Sequence, residues 1–288
     1  MNSSGSAGEK TKFSDLLTSG RSQHFRRMLV GSSSQVFQQL SGCNAVIYYL
    51  PVLLEQNMGE DHDFALLIGG INMIVYAIFA TFSWFFIEKI GRRNLFLYGS
   101  WIQAFAMVIT FACLIPKGEN VKKGAVFGLF MYMACFGATW LPLPWLYPAE
   151  LSPIKTRAKA NAVSTCSNWL FNFTVVMITP VMVDRIKWGT YLFFGALNFS
   201  FIPIIYFFYP ETANRSLEEI DLIFAKGYVE NMTYVNAAKA LPKLSDEEIE
   251  AMNSEYGIGS DSSDSVEKTT AQQHVQPTDG DGGENQSA

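Results

Sequence analysis

Between Gln35 and Pro51 the chain reads QVFQQLSGCNAVIYYLP, which sets Gln35, Gln38, Gln39, Ser41 and Asn44 inside a stretch otherwise suited to hydrocarbon. A side-chain amide both donates and accepts, so a group of amides can hold a ring of hydroxyls without burying a charge. A cationic or carboxylate ligand would need an ionised partner, and no long apolar stretch of this chain carries one centrally. The competing role is structural, because polar side chains in lipid also tie helices together. Gln35, Gln38 and Gln39 fall three and four residues apart, on one helix face. Asn44 follows Gln39 by five residues, about 140° further round a straight helix. Ser41 and Gly42 lie between them, and glycine permits a break that would let the amides converge. Tyr48, Tyr49 and Pro51 would then lie beyond it. Broken helices at membrane mid-depth are a recurrent way to build a transport site.

Three further segments add to this set. Asn72 is the lone amide in LLIGGINMIVYAIF. GATWLPLPWLYPAE carries Pro142, Pro144 and Pro148, so regular helical bonding must fail there. Trp140 and Trp145 flank the disruption, where an indole can stack on the apolar face of a pyranose. STCSNWLFNF puts Asn168 and Asn172 four apart on one face, with Trp169 beside them. Metal chemistry has no foothold: Cys43, Cys113, Cys135 and Cys166 lie in separate apolar segments, and His24, His62 and His274 are scattered. Nothing resembles a nucleophile–base pair or a phosphate loop, so neither an enzyme nor a bound cofactor is expected.

The elements that must position these residues are membrane spans. A spanning helix needs about 20 mostly apolar residues, and six stretches qualify: Met28–Leu54, Phe64–Ile87, Leu95–Ile115, Ala125–Tyr147, Ala160–Val183 and Tyr191–Tyr209. They lack the polar face of soluble amphipathic helices. The expected fold class is therefore an all-α membrane protein with six transmembrane helices. Lys10, Lys12, Arg21, Arg26 and Arg27 precede the first span. Lys89, Arg92 and Arg93 follow the second, and Lys155, Arg157 and Lys159 the fourth, against fewer basic residues on the other side. The positive-inside rule then makes both termini cytoplasmic. The polar N-terminus lacks the apolar core of a cleavable signal peptide.

The expected organisation is a cytoplasmic segment over 1–27, the spans over 28–209, a helical cytoplasmic tail over 210–256 and a disordered tail over 257–288. Capping boxes at Ser216/Glu219 and Ser245/Glu248 start two tail helices. The net charge of −5 sits mostly in the tail and gives no reason to expect nucleic-acid binding.

QQLSGCNAVIYYLP, EKIGRR, PWLYPAELSPIKTRAKA, SNWLFNF and PETANRSLEEID, in that order, resemble successive signatures of the sugar porter family of the major facilitator superfamily, in the style of its fungal members. The resemblance runs from about Phe13 to Phe224 and matches the C-terminal six-helix half of a twelve-helix carrier. It implies transport of a hexose or related sugar by alternating access, facilitative or proton-coupled, in the plasma membrane. It implies sugar-binding roles for Gln38, Gln39, Asn44, Asn72 and Trp145, and Asn168 joins them by its position beside Trp169. Tyr48 and Tyr49 match outer-gate tyrosines, and Pro142 and Pro144 lie in the gating stretch of the fourth span. Glu88, Arg92, Arg93, Glu150, Arg157, Glu211 and Arg215 resemble a cytoplasmic charge clamp that is made when that side is closed.

The chain departs from the family at Leu141, where glycine is usual, at Gly137, where animal hexose facilitators carry a sugar-contacting glutamate, and at Cys43. The family's first six helices are not in this chain. The expected partners are thus a sugar, the lipid bilayer, and an N-terminal half or a second copy. The alternative reading is a truncated or non-transporting half that acts as a sugar sensor or interaction subunit.

Overall fold

The computed structural model describes residues 13–55, 59, 61–116 and 119–256. The expected disorder of 257–288 therefore lies outside the described residues. A 3-10 turn at Phe13–Leu17 precedes α1 (His24–Leu40), α2 (Cys43–Leu53), α3 (His62–Ile90), α4 (Arg92–Leu114), α5 (Glu119–Ala138), α6 (Leu143–Leu151), α7 (Arg157–Ile186) and α8 (Gly189–Phe208). The tail forms α9 (Leu217–Val229), α10 (Tyr234–Ala240) and α11 (Asp246–Tyr256). All regular structure among the described residues is helical.

Among the described residues, five helical stretches are long and apolar enough to cross a membrane: α3, α4, Lys123–Leu151, α7 and α8. The stretch predicted as one span over Met28–Leu54 is instead two consecutive helices of 17 and 11 residues. Neither alone has the length to cross, because the chain breaks at Ser41–Gly42. The fourth span is also interrupted. Helix α5 stops at Ala138, residues 139–142 form turns, and α6 restarts at Leu143. Pro142 sits at the N-cap of α6 and Pro144 in its first turn, where no helical N–H is lost.

Packing follows from which faces are small or aromatic. Helix α4 lies between α5 and α8, α1 runs along α7, and α3 packs on α5. The apolar window of α3 is the least buried and that of α5–α6 the most, so α3 is peripheral and the irregular helix pair is central. A ring cluster ties the pieces together near one end: Phe96 meets Trp140, Tyr147 and Tyr209 edge-on at 4.8, 5.4 and 5.5 Å between centroids. Phe37 of α1 stacks on Phe201 of α8 at 4.4 Å. The buried hydroxyls there are satisfied, with Tyr147 donating to Pro210 O at 2.8 Å and Tyr209 bonded to Ser33 Oγ at 2.7 Å. Large apolar side chains such as Trp84, Leu170, Phe173 and Phe207 point outward, as lipid contact requires.

The tail folds against the same end. Both expected capping boxes form: Ser216 accepts from Glu219 N while Glu219 accepts from Ser216 N, and Ser245 and Glu248 do likewise. Leu222, Ile223, Ala237, Ala238, Leu241 and Ile249 make a small core of their own.

Candidate functional site

The break between α1 and α2 is fixed from three sides. Gly42 adopts φ +96°, and a Cβ there would stand 2.7 Å from Phe194 Cγ, so both the backbone and the packing require glycine. Ser41 donates its hydroxyl to Gln38 O at 2.7 Å. Its carbonyl, freed by the break, accepts from Tyr132 Oη of α5 at 3.0 Å and Asn198 Nδ2 of α8 at 2.9 Å. A helix end buried without such partners would be unstable.

The break brings the amides together. Asn44 Nδ2 donates to Gln39 Oε1 at 2.5 Å, and Asn172 Nδ2 reaches the same oxygen at 3.3 Å. Gln39 Nε2 donates to Asn168 Oδ1 at 3.0 Å. Asn168 Nδ2 in turn donates to Gln35 Oε1 at 2.5 Å and Gln38 Oε1 at 2.8 Å. Gln35 and Gln38 spend their own N–H groups on α6 and its approach: Gln35 on Pro144 O at 2.7 Å, Gln38 on Trp140 O and Leu141 O at 2.9 and 3.1 Å. Asn168 on α7 is thus the hub for three glutamines of α1. Gln35, Gln38, Gln39, Asn44 and Asn168 are all buried.

Other predicted residues lie apart from this network. Asn72 is fully buried on α3, and neither of its amide atoms has a partner. Trp145 follows Pro144 on α6, and its ring is exposed, while the Trp140 indole is wholly buried in the ring cluster and only its carbonyl meets the network. Tyr48 is exposed on α2, and the side chain of Tyr49 lies outside the described residues. Sequence reasoning missed Tyr132 and Asn198. Asn198 is the only amide in α8, the same signal that singled out Asn72.

The predicted charge clamp divides into distinct clusters. Arg92, at the start of α4 and nearly buried, bonds Glu150 of α6 at 2.8 Å and Glu88 of α3 at 3.1 Å. Glu150 also accepts from Thr212 Oγ1 at 2.5 Å. Among the described residues, Glu211 forms no salt bridge with a guanidinium. Its oxygens accept from the backbone N–H groups of Arg92 and Arg93 at 2.8 and 3.1 Å, capping α4. Gly91 makes that approach possible, with φ +88° and room for a Cβ only 2.6 Å from Glu211 Oε2. Arg93 turns away, donating to Tyr206 O at 2.9 Å and lying over the Tyr206 ring at 5.0 Å.

Arg157 reaches Ser152 O at 3.3 Å and leaves Nη2 buried without a partner. Arg215 sits elsewhere, because the turn into α9 carries it under the tail. There it bonds Glu219 and the carbonyls of Ala238, Leu241 and Pro242. An arginine counted from sequence only as an orientation charge completes the picture. Arg27 is fully buried, pairs with Asp221 of α9 at 2.5 Å, bonds Leu151 O, and lies over the Phe224 ring at 4.6 Å.

The comparisons with known proteins agree with this architecture. The family described as "Sugar (and other) transporter" matches residues 1–224. The sugar transporter STL1 of Saccharomyces cerevisiae is 49% identical over 242 residues, covering 84% of this chain and 42% of that protein. The major facilitator superfamily transporter mfsA of Aspergillus fumigatus is 45% identical over 260 residues, covering 90% and 48%. The chain thus spans about half the length of the curated relatives it matches. Among solved structures, the proton:xylose symporter XylE bound to 6-bromo-6-deoxy-D-glucose superposes with a TM-score of 0.62 at 25% identity, over 68% of this chain and 42% of that one. With a family match over most of its length and helices built to cross a bilayer, this chain is an integral membrane protein that belongs to the sugar porters of the major facilitator superfamily, a family of transporters and not of enzymes.

Proposed function

We propose that this chain is a six-span sugar-translocating half, with the α1–α2 pair as its first span, and that it works by alternating access in the plasma membrane with both termini cytoplasmic. The observation that carries the proposal is the neutral network around Gln39 and Asn168, buried at a helix break and free of ionisable groups. A sugar hydroxyl donates and accepts at one oxygen, so it can insert into an amide–amide bond and leave both amides satisfied. Such an exchange costs little, whereas an ionic partner would have to be stripped of its counter-charge.

In this reading Gln38, Gln39, Asn44 and Asn168 bind hydroxyls, Asn72 offers an uncommitted amide from α3, and Trp145 supplies a stacking surface. Tyr48, Tyr49 and the Pro142–Pro144 turn gate the site. The Glu88–Arg92–Glu150 pairs bias which side is open, because pairs made in only one state shift a two-state equilibrium. The names of STL1 as a sugar transporter and of XylE as a proton:xylose symporter favour a sugar as the cargo. The amide set contains no acid, so proton coupling would draw its carboxylate from a partner half.

The test is radiolabelled hexose and disaccharide uptake in yeast lacking its own sugar carriers. The chain would be expressed alone and joined behind the N-terminal six spans of a relative, with surface abundance checked. Gln39→Ala is expected to lower kcat/KM by about 5- to 150-fold, equivalent to ~1–3 kcal/mol for a lost buried hydrogen-bond partner. Unchanged uptake at normal abundance would mean that the amides only hold helices together.

A further inference from the structure

Arg92 and Arg93 are neighbours at the start of α4, and both are more than nine-tenths buried. Arg92 has two carboxylates, whereas no salt bridge among the described residues includes Arg93. Its Nη2 is spent on a carbonyl, and its Nε is buried with no acceptor. A buried cation without a counter-charge is costly, and the nearby Glu211 is already committed to backbone N–H groups.

Arg93 borders a cavity of about 220 Å³ between the end of α8 and the tail. Lys239, Asn236 and Thr233 face it from the α10 side, Tyr206 and Phe207 from α8, and no carboxylate lines it. Tyr206 and Phe207 are themselves exposed on the last turn of a membrane-crossing helix. The cavity therefore opens where lipid tails give way to headgroups, the level at which tyrosine concentrates.

We propose that this cavity binds the phosphate of an anionic lipid headgroup, with Arg93 and Lys239 supplying charge, and Asn236 and Thr233 hydrogen bonds. The site would couple lipid composition to the junction between α4, α8 and the tail. A free phosphate offers the same oxygens, but the exposed aromatic pair beside the opening suits acyl chains.

The test is native mass spectrometry of the full chain in detergent with phosphatidylglycerol or phosphatidylcholine added, with and without excess inorganic phosphate. Phosphatidylglycerol should be retained in preference. Lys239→Gln, an exposed change that keeps the fold, should cut that retention by about five-fold, as expected for one cation near an anionic surface. Lys243→Gln, which removes the same charge from a tail residue outside the lining, should leave it unchanged. Equal retention of the two lipids, or equal loss in the two variants, would overturn the site. Displacement by inorganic phosphate would overturn the lipid assignment in favour of a soluble anion.

Discussion

The amide network and the charged end are both buried polar clusters, and about 18 Å of helix α1 separates Gln39 from Arg27, yet they are built on opposite terms. Around Gln39 every group is neutral, and Gln39 and Asn168 each both donate and accept, so one partner can replace another without leaving a charge behind. Arg92 and Arg27 each have an ionised partner on a helix far away in sequence, Glu150 and Asp221, so each of those bonds also fixes one element against another. The first arrangement suits exchange with a ligand, and the second suits holding or releasing a whole end of the bundle. The difference lies in the cost of losing a partner: an orphaned amide costs about 1–3 kcal/mol, and an orphaned buried charge about 3–5 kcal/mol.

Glu150→Ala tests that contrast most severely. It leaves Arg92 buried with only the exposed Glu88 for company, and should lower stability in detergent by about 3–5 kcal/mol, read as a fall in the thermal midpoint. A loss no larger than that of an amide variant would erase the distinction. Gly42→Ala comes next, because it forces a side chain into a left-handed position against Phe194. It should cost about 1–3 kcal/mol and reduce sugar uptake further by misplacing Asn44 relative to Gln39. If uptake survives, the break does not set the site. Glu88→Gln removes the other carboxylate of Arg92, one that is 57% exposed. Its expected cost is only about 0–1 kcal/mol, and a cost matching that of Glu150→Ala would show that burial is not what decides.

The smallest effect concerns His24, ahead of the first predicted span and bonded to Thr156 Oγ1 at 3.0 Å. Burial, and after it the charge of Arg27, lowers its pKa below the ordinary 6.5. The folded chain therefore holds the neutral ring more firmly than the unfolded chain does. That stabilisation is complete above about pH 6.5 and is lost as the pH falls through the lowered folded value. Thermal midpoints should drop over that window, and His24→Gln should flatten the dependence.

Much of this was legible in the sequence, for reasons that differ by region. Apolar length marked the crossing helices, and glycine within a polar cluster marked the break at Gly42, because both signals are local. The approach of Asn44 to Gln39 could be anticipated only through that break, since helical spacing alone turns Asn44 about 140° away, and spacing on α7 gave no sign that Asn168 would be the hub. What escaped was set by distant packing. Nothing near Arg215 says that the turn into α9 draws it beneath the tail, and nothing near Arg27 names Asp221, 194 residues away, as its partner. Glu211 looked like a salt-bridge residue and caps a helix instead, because Gly91 leaves its carboxylate space beside the α4 backbone.

That cap has a consequence for how the molecule is made. The first N–H groups of α4 wait for a carboxylate 119 residues downstream. At synthesis rates of about 5–20 residues per second, Glu211 emerges roughly 6–24 s after Arg92. Helix α4 must therefore enter the bilayer and pack with its start unfinished, and the end of the bundle is clasped only once the last crossing helix has been delivered. Biogenesis would close on a polar step, and a nascent chain arrested before residue 211 should stay open to protease at the α3–α4 junction while its membrane segments are already protected.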